Sequence, residues 1–435
     1  MDLFAKVDSK DLIKMNSIKN KIGIIGLGYV GLPLLLLINK KQDVVGFDID
    51  QKKIDKLKKK KSYISDISNK EINQIDNNKI FNLKKNLEQI SYCEYLIICL
   101  PTPLKRNIPD MSYIKNALDI IFPFLKNNQT IILESSVYPG ATEEIFIKKI
   151  NSKFKIGKNF FLTYSPERID PGKNKTLKKL AYDKITKLVS GHTKRCEKKI
   201  VSLYKKIFQN IYLCKSIKVA ETSKIFENIF RAVNIGLVNE MKILTNKMNI
   251  NIHDVVQSAG TKPFGFKKFV PGPGVGGHCI PIDPIFMKWI AKKYNYQTKF
   301  IDLGAKMNLQ ITDWIINKII TFLNKKKKTK CLILGVAYKA DINDVRESPS
   351  LKIIKKLKNI KNCQVDYMDP YVKDIKINNL TLENTNVKNF GKYDLTILCT
   401  DHYKFNYKKI LTESKKIIDT RGKFKDSKLS KIIHL

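Results

Sequence analysis

Acidic side chains are scarce in this chain of 435 residues: 40 Asp and Glu stand against 81 Lys and Arg, a formal charge of +41. Histidine occurs five times and tryptophan twice. None of the eight cysteines forms a C-x-x-C pair, and none groups with a histidine at zinc spacing, so no metal centre is expected. Eight thiols in so long a chain do not read as a disulfide framework, and a reducing cytosol is expected. Lysines interrupt every apolar run before it reaches membrane-spanning length. The opening stretch Met1–Ser17 has scattered charges and no apolar centre, so it reads as a short extension rather than a signal peptide.

A large positive charge can mark a polyanion-binding surface. Here the excess is mostly lysine, spread along the chain, and Ile and Asn are abundant too, as an A+T-rich coding sequence would give. The short runs Lys58–Lys61 and Lys325–Lys328 lack the interleaved aromatics of a single-strand binding track, so no nucleic-acid partner is expected. Length argues for two or three domains.

What is present begins with Lys21-Ile-Gly-Ile-Ile25, a buried-strand pattern followed at once by Gly26-Leu-Gly-Tyr-Val-Gly31. The apolar stretch Leu32–Ile38 reads as a helix with Pro33 in its first turn, and Val44-Val-Gly-Phe-Asp48 as a second strand ending in an acid. Strand, glycine turn, helix, strand and acid in this order specify a dinucleotide site. Gly26 makes the tight turn, Gly28 lets backbone meet a pyrophosphate, and Gly31 lets helix and strand pack. Asp48 would accept from both ribose hydroxyls, favouring NAD over NADP, with Lys53 flanking the adenosine.

Further strands are expected at Tyr95–Leu100, Thr130–Glu134 and Phe160–Tyr164. The loops after them carry Thr102, Ser136 and Glu167. Thr102 equally fits a turn or helix cap, and Glu167 a surface salt bridge. From Ala220 to about Met248 the period becomes helical, with Lys224 and Asn228 on one face. Together they could donate to a developing oxyanion, and they fit a solvated face equally well. A helix of this length after such a domain is a common place for two subunits to meet. The segment Pro271-Gly-Pro-Gly-Val-Gly-Gly-His-Cys-Ile-Pro-Ile-Asp-Pro284 sets Cys279 behind a glycine-rich loop, with Asp283 four residues on. A thiol nucleophile with a nearby carboxylate suits covalent catalysis, and Asp283 is a better base than the adjacent His278. After the lysine run, strands at Cys331–Gly335, Gln364–Tyr367, Leu395–Cys399 and Ile417–Asp419 outline a second α/β domain. Its first loop lacks repeated glycines and carries Lys339, suited to a different phosphate ligand.

From about Lys21 onward the chain resembles the UDP-glucose/GDP-mannose dehydrogenase family. The motifs are G-L-G-Y-V-G-L-P, P-T-P-L, E-S-S-V-Y-P-G-A-T-E-E, Y-S-P-E-R-I-D-P-G, K-I-F-E-N-I-F-R-A-V-N, P-G-P-G-V-G-G-H-C-I-P-I-D-P and L-I-L-G-V-A-Y-K-A-D-I-N-D-V-R-E-S-P. The resemblance implies an α/β protein of two Rossmann-like domains joined by a helical dimerisation region. The implied boundaries are an extension at 1–18, an NAD domain at 19–215, a central helical region with the cysteine loop at 216–324 and a UDP domain at 325–435. It implies a cytoplasmic homodimer or higher oligomer serving surface polysaccharide synthesis, whose UDP-N-acetylhexosamine substrate is oxidised at C6 with two NAD+. Cys279 would carry a thiohemiacetal and then a thioester. Lys224 and Asn228 would stabilise the oxyanion, Asp283 would move a proton, and Glu167 with Ser136 would handle the water. Lys224 would also lower the pKa of the thiol. Cofactor contacts would come from Gly26, Gly28, Tyr29, Val30, Gly31, Asp48, Lys53, Thr102, Ser136 and Arg346. Substrate contacts would come from Glu167, Arg168, Lys224, Asn228, Phe269, Gly274, Gly276 and Lys339, with the loop Phe269–Gly277 closing over the sugar. Ser136 keeps the hydroxyl of the family's usual Thr. Pro171 replaces a second carboxylate of UDP-glucose relatives, which favours an N-acetylated sugar. UDP-glucose, UDP-N-acetylmannosamine and GDP-mannose remain alternative substrates. A sequence-tolerant nucleic-acid binder or a hydroxyacid dehydrogenase would need neither the thiol nor a second nucleotide domain.

Overall fold

The computed structural model describes residues 21–64, 67–168, 182–323, 328–377 and 380–435. The extension at 1–18, Pro171 and residues 325–327 of the lysine run lie outside them. The described residues divide into two compact units, the first ending at Ile225 and the second beginning at Phe226.

In the first unit, Lys21–Ile25 (β1), Val44–Asp48 (β2), Ile80–Asn82 (β3), Cys93–Ile98 (β4), Thr130–Leu133 (β5), Phe161–Tyr164 (β6), Lys187–Gly191 (β7) and Ile211–Leu213 (β8) form one sheet. Its order is β8-β7-β6-β5-β4-β1-β2-β3. The strands β1 to β6 are mutually parallel, and β5 and β2 are buried along their whole length. Covered on both faces, such strands read as continuous apolar runs, which is why their Ile and Val content identifies them. The helix Gly31–Asn39 (α1) buries Leu32, Leu34, Leu35, Leu36 and Ile38. The chain direction along the sheet reverses between β1 and β4, so a crevice opens there at the carboxyl ends of the strands.

Two strands depart from the pattern, β7 and β8, which run parallel to each other and against the rest. β7 runs antiparallel to β6, pairing Thr163 with Gly191 and Tyr164 with Ser190. The first residue of β7 therefore sits beyond the carboxyl end of β6, on the same edge as the carboxyl ends of β1 to β5. Helix Lys194–Ile207 (α3) follows, with Ile200, Leu203, Tyr204 and Ile207 turned inward.

The long helix Ile217–Lys247 (α4) contains the division between the units. The second unit continues with Ile252–Ala259 (α5), Asp283–Lys292 (α6) and Lys299–Leu323 (α7). Gly236 of α4 meets Gly304 of α7, where either added Cβ would approach backbone of the other helix to about 3.0 Å. A five-stranded parallel sheet follows, made of Thr329–Leu334 (β9), Cys363–Met368 (β10), Leu395–Leu398 (β11), Ile417–Asp419 (β12) and Ile432–His434 (β13). Its order is β10-β9-β11-β12-β13, the other common doubly wound arrangement. Pro349–Lys358 (α8) covers one face.

A charged residue lies inside this second unit. Lys242 of α4 is 1% exposed, and its ammonium donates to the carbonyl of Thr420, just past β12, at 2.9 Å. Burial pushes its pKa down to about 7, with Asp419 partly opposing and Arg421 adding to the shift. The unfolded chain, with an ordinary lysine near 10.5, binds the proton more tightly. Stability should therefore rise between about pH 7 and pH 10.5 as the unfolded state loses that advantage. We expect wild type to gain more in melting temperature from pH 6.5 to pH 9.5 than Lys242→Met, measured by calorimetry in matched buffers.

Candidate active site

The turn after β1 is built by three glycines with different reasons for being glycine. Gly26 has φ +95°, and an added Cβ would lie 2.5 Å from the Cys99 carbonyl oxygen. A Cβ on Gly31 would lie 1.9 Å from the Gly26 carbonyl oxygen, so α1 could not pack on β1. A Cβ on Gly28 would meet nothing within 4 Å. The chain itself does not require glycine there; a ligand pressed against the backbone would. Tyr29 beside it is 44% exposed and Val30 is half-buried. Asp48 ends β2 with one carboxylate oxygen accepting from Leu27 N at 2.9 Å and from Lys53 Nζ at 3.1 Å. Its other oxygen accepts from Asp50 N at 2.9 Å. Lys53 thus pairs with the acid itself. An open cradle at Gly28, with a fixed acid at the next strand end, fits a dinucleotide.

Loops after β4 and β5 form the opposite wall. Thr102 is buried and its hydroxyl donates to the Ser136 carbonyl at 2.6 Å. The Ser135 hydroxyl accepts from Leu100 N at 3.0 Å and donates to Leu100 O at 2.7 Å. These bonds staple the two loops and leave Ser136 half-buried.

At the same strand ends lies a charge cluster that sequence reasoning did not assemble. Glu167, beyond β6, and Glu134, just past β5, share the ammonium of Lys187, the first residue of β7, at 3.0 and 2.9 Å. Glu134 is fully buried and also accepts from the Tyr204 hydroxyl of α3. Burial raises its pKa, with Lys187 opposing. Burial disfavours the Lys187 ammonium as well, but the two carboxylates outweigh it and hold the lysine protonated. Arg168 N donates to Glu167 at 2.7 Å, and the Arg168 guanidinium donates to Thr186 O at 2.8 Å. The signal that could have found Lys187 is its register: three residues beyond the Tyr164–Ser190 pair, an antiparallel ladder sets 187 opposite 167.

Lys224 and Asn228 are both buried, one turn apart on α4. The rotation of α4 at this point is fixed by Glu221, whose carboxylate accepts from Gly140 N at 2.5 Å, Thr142 N at 2.9 Å and the Thr142 hydroxyl at 2.6 Å. These donors open the helix Ala141–Asn151 (α2), whose N-terminus favours a carboxylate.

In the second unit, Cys279 is the one exposed cysteine of the eight; six are buried and Cys363 is half-buried. Asp283 opens α6, is 2% exposed, and donates its backbone N–H to the Cys279 carbonyl at 2.9 Å. Asn228 Nδ2 donates to Asp283 Oδ2 at 2.5 Å. The pKa of His278 is lowered by burial first and by the Arg346 guanidinium second, with Asp344 opposing. Arg346 is exposed and paired with Asp344 at 2.6 Å, and its carbonyl accepts from Gly277 N at 2.8 Å. The loop glycines differ from Gly28. A Cβ on Gly274 would lie 2.5 Å from the Thr312 hydroxyl, and one on Gly276 2.6 Å from Tyr338 Cβ. These vacancies are filled by the chain itself. Phe269 is half-buried, with its ring 5.9 Å from that of Phe230. Lys339 is half-buried in the loop after β9. Among the described residues, no group of three or more His, Cys, Asp or Glu is placed to hold a metal ion. The cavity of about 490 Å³ lined by Gln42, Glu94, Tyr95, Phe161, Arg195 and Lys199, with others of α3, lies at the amino ends of the strands, away from the crevice.

The family profiles decide what this assembly is. The NAD binding domain of the UDP-glucose/GDP-mannose dehydrogenase family matches residues 20–209, its central domain 218–310 and its UDP binding domain 332–426. The chain belongs to that family. It is therefore an NAD-dependent dehydrogenase of the UDP-sugar class. It is 33% identical over 394 residues to the UDP-N-acetyl-D-glucosamine 6-dehydrogenase of Pseudomonas aeruginosa, covering 88% of this chain and 91% of that protein. It is 32% identical over 400 residues to the UDP-N-acetyl-D-mannosamine dehydrogenase of Methanococcus maripaludis, covering 89% and 88%. The structure of the UDP-N-acetylmannosamine dehydrogenase from Pyrococcus horikoshii is similar with a TM-score of 0.81 at 28% identity, over 92% of this chain and 95% of that one. Among the described residues no helix is long and apolar enough to cross a membrane.

Two glycine variants separate cofactor space from packing space in this dehydrogenase. Gly28→Val should melt near wild type yet lose most of the thermal shift that NAD+ gives wild type. Gly31→Ala should lower the melting temperature with or without NAD+. Differential scanning fluorimetry reads both.

Proposed function

We propose that the protein oxidises the C6 alcohol of a UDP-N-acetylhexosamine, UDP-N-acetylglucosamine first among them, to the uronate through a thioester on Cys279. The observation that carries this reading is the exposure of Cys279 alone among eight thiols, beside a buried carboxylate, Asp283, tied to Asn228. Bound NAD+ supplies the hydride acceptor for both oxidations, so two are consumed per sugar together with one water. The Cys279 thiolate adds to the C6 aldehyde carbon, giving a thiohemiacetal whose oxidation leaves the thioester. Asn228 has two amide protons; one is held by Asp283, and the other is available for the oxyanion, with Lys224 as the matching cation. Lys224 also favours the thiolate. Asp283, anchored at a helix N-terminus, takes or returns the proton of the reacting oxygen. Glu167 directs water onto the thioester carbonyl, with the Ser136 hydroxyl assisting, and the thiolate leaves as the uronate forms. Gly26, Gly28, Gly31, Asp48, Lys53 and Thr102 would hold NAD, while Lys339, Arg168 and the loop from Phe269 would hold the UDP-sugar.

The mannosamine epimer is the second reading, because relatives named for it match this chain at nearly the same identity and coverage as the glucosamine enzymes. A reducing cytosol, where an exposed thiol persists, is the compartment we assign. We also assign a homodimer. The supporting feature is an apolar stripe on α4: Phe226, Phe230, Leu237, Met241, Leu244 and Met248 are 62, 43, 58, 37, 50 and 56% exposed at helical spacing.

NADH formed per sugar consumed, across a panel of UDP- and GDP-sugars, tests the chemistry. Two NADH with UDP-N-acetylglucosamine, and turnover abolished in Cys279→Ala, are expected. One NADH per sugar, or an unaffected variant, would sink the thioester route. Leu237→Glu with Met241→Glu should give a monomer by analytical ultracentrifugation; an unchanged sedimentation coefficient would rule out α4 as the subunit contact.

A further inference from the structure

We propose that Lys187 is a positioning residue for Glu167, held to that task by Glu134 and Tyr204. The inference rests on the reading that Glu167 handles the water. Its basis is the reversed strand. In a sheet otherwise parallel from β1 to β6, a residue starting a strand would lie at the amino edge, remote from ligands. Because β7 runs the other way, its first residue is delivered to the carboxyl edge, opposite Glu167.

The side chains around Lys187 come from four other elements. Glu134 follows β5, Glu167 follows β6, Tyr204 belongs to α3, and the buried thiol of Cys99 follows β4. The ring of Phe208 lies 5.3 Å from the ammonium. The lysine side chain is 4% exposed and that of Glu134 is 0% exposed, whereas Glu167 keeps 12%. A fully buried carboxylate is costly unless paired, and Glu134 has no access to a ligand of its own. Its effect is to fix the ammonium from behind, with the Tyr204 hydroxyl completing the bonding. The ammonium then reaches forward to one oxygen of Glu167. The other oxygen accepts from Arg168 N, and Arg168 is itself tied to Thr186, the neighbour of Lys187. The dipeptide Glu167-Arg168 is thus clamped at both side chains on residues 186 and 187. The clamp sets the carboxylate's direction and favours its ionised form, the form that accepts a proton from water.

Two variants should move the ionisation of Glu167 in opposite directions. In Glu134→Gln, Lys187 serves Glu167 alone and a repelling carboxylate is gone, so ionisation moves to lower pH. In Lys187→Met/Glu134→Gln, the buried pair is removed together, which spares the core an unpaired charge, and ionisation moves to higher pH by about one unit. Infrared difference titration of the full-length protein reads this directly, with the band assigned by its loss in Glu167→Gln. The acid limb of the kcat–pH profile should shift in the same directions. An infrared band that does not move in either variant overturns the proposal, even where melting temperature and kcat fall, because a merely structural ion pair would do only that. If the band moves but Glu167→Gln hydrolyses thioester at the wild-type rate, the coupling between Lys187 and Glu167 stands and the catalytic reading of Glu167 fails.

Discussion

In each unit the working edge of the sheet is held by the same interaction. A buried carboxylate ending the second strand accepts from backbone N–H groups of the turn that ends the first. In the NAD-binding unit Asp48 takes Leu27 N; in the UDP-binding unit Asp369 takes Val336 N and Ala337 N at 2.8 and 3.2 Å. Both turns begin with a glycine at positive φ, Gly26 and Gly335. An unpaired N–H in so dry a place would cost about 1–3 kcal/mol, so acid and turn stabilise each other. The positions of the fingerprint loop and of the Lys339 loop both follow from it.

The two copies of this interaction are finished differently. Asp48 is met from the side by Lys53, on a chain that leaves Gly28 uncovered. Asp369 is sealed: His402 Nε2 lies 2.9 Å away, and Tyr371 N and Val372 N donate to the second oxygen. His402 Nδ1 accepts from Asp341 N, which fixes the tautomer with Nε2 protonated and facing the acid. One acid keeps capacity for ribose hydroxyls, while the other has spent it on the protein. That is a physical difference between the doubly wound unit that matches the NAD binding domain and the one that matches the UDP binding domain.

The strand and helix positions were largely legible in the sequence, because parallel strands buried on both faces announce themselves as Ile and Val runs. Lys21–Ile25, Val44–Asp48 and Ile417–Asp419 coincide with the strands formed. The glycine-rich frame singles out Cys279 in the sequence, and its exposure among buried thiols is a feature of the fold. Nothing local singles out Lys187: it is one lysine among many, and what distinguishes it is an antiparallel register that no local period encodes. Glu134 is only a strand end in the sequence pattern, whereas in the fold it is an internal counter-charge to Lys187. The glycines at 274 and 276 stand out in the sequence, and the side chains that require them, Thr312 and Tyr338, are far away along the chain. Helical spacing places Asn228 on one face with Lys224 and leaves a solvated face equally open, and its role comes from the family resemblance; its bond to Asp283 joins residues 55 apart in sequence, which no local pattern encodes.

The boundary between the two units falls within α4, with no flexible joint in the sequence there. A helix advances by 3.6 residues per turn, so a single inserted or deleted residue near 225 would change the phase of α4 between its two halves by about 100°. Glu221 locks the helix on one side of that point and Lys242 is buried on the other. Lineages of this protein should accordingly accept substitutions along α4 far more readily than changes in its length.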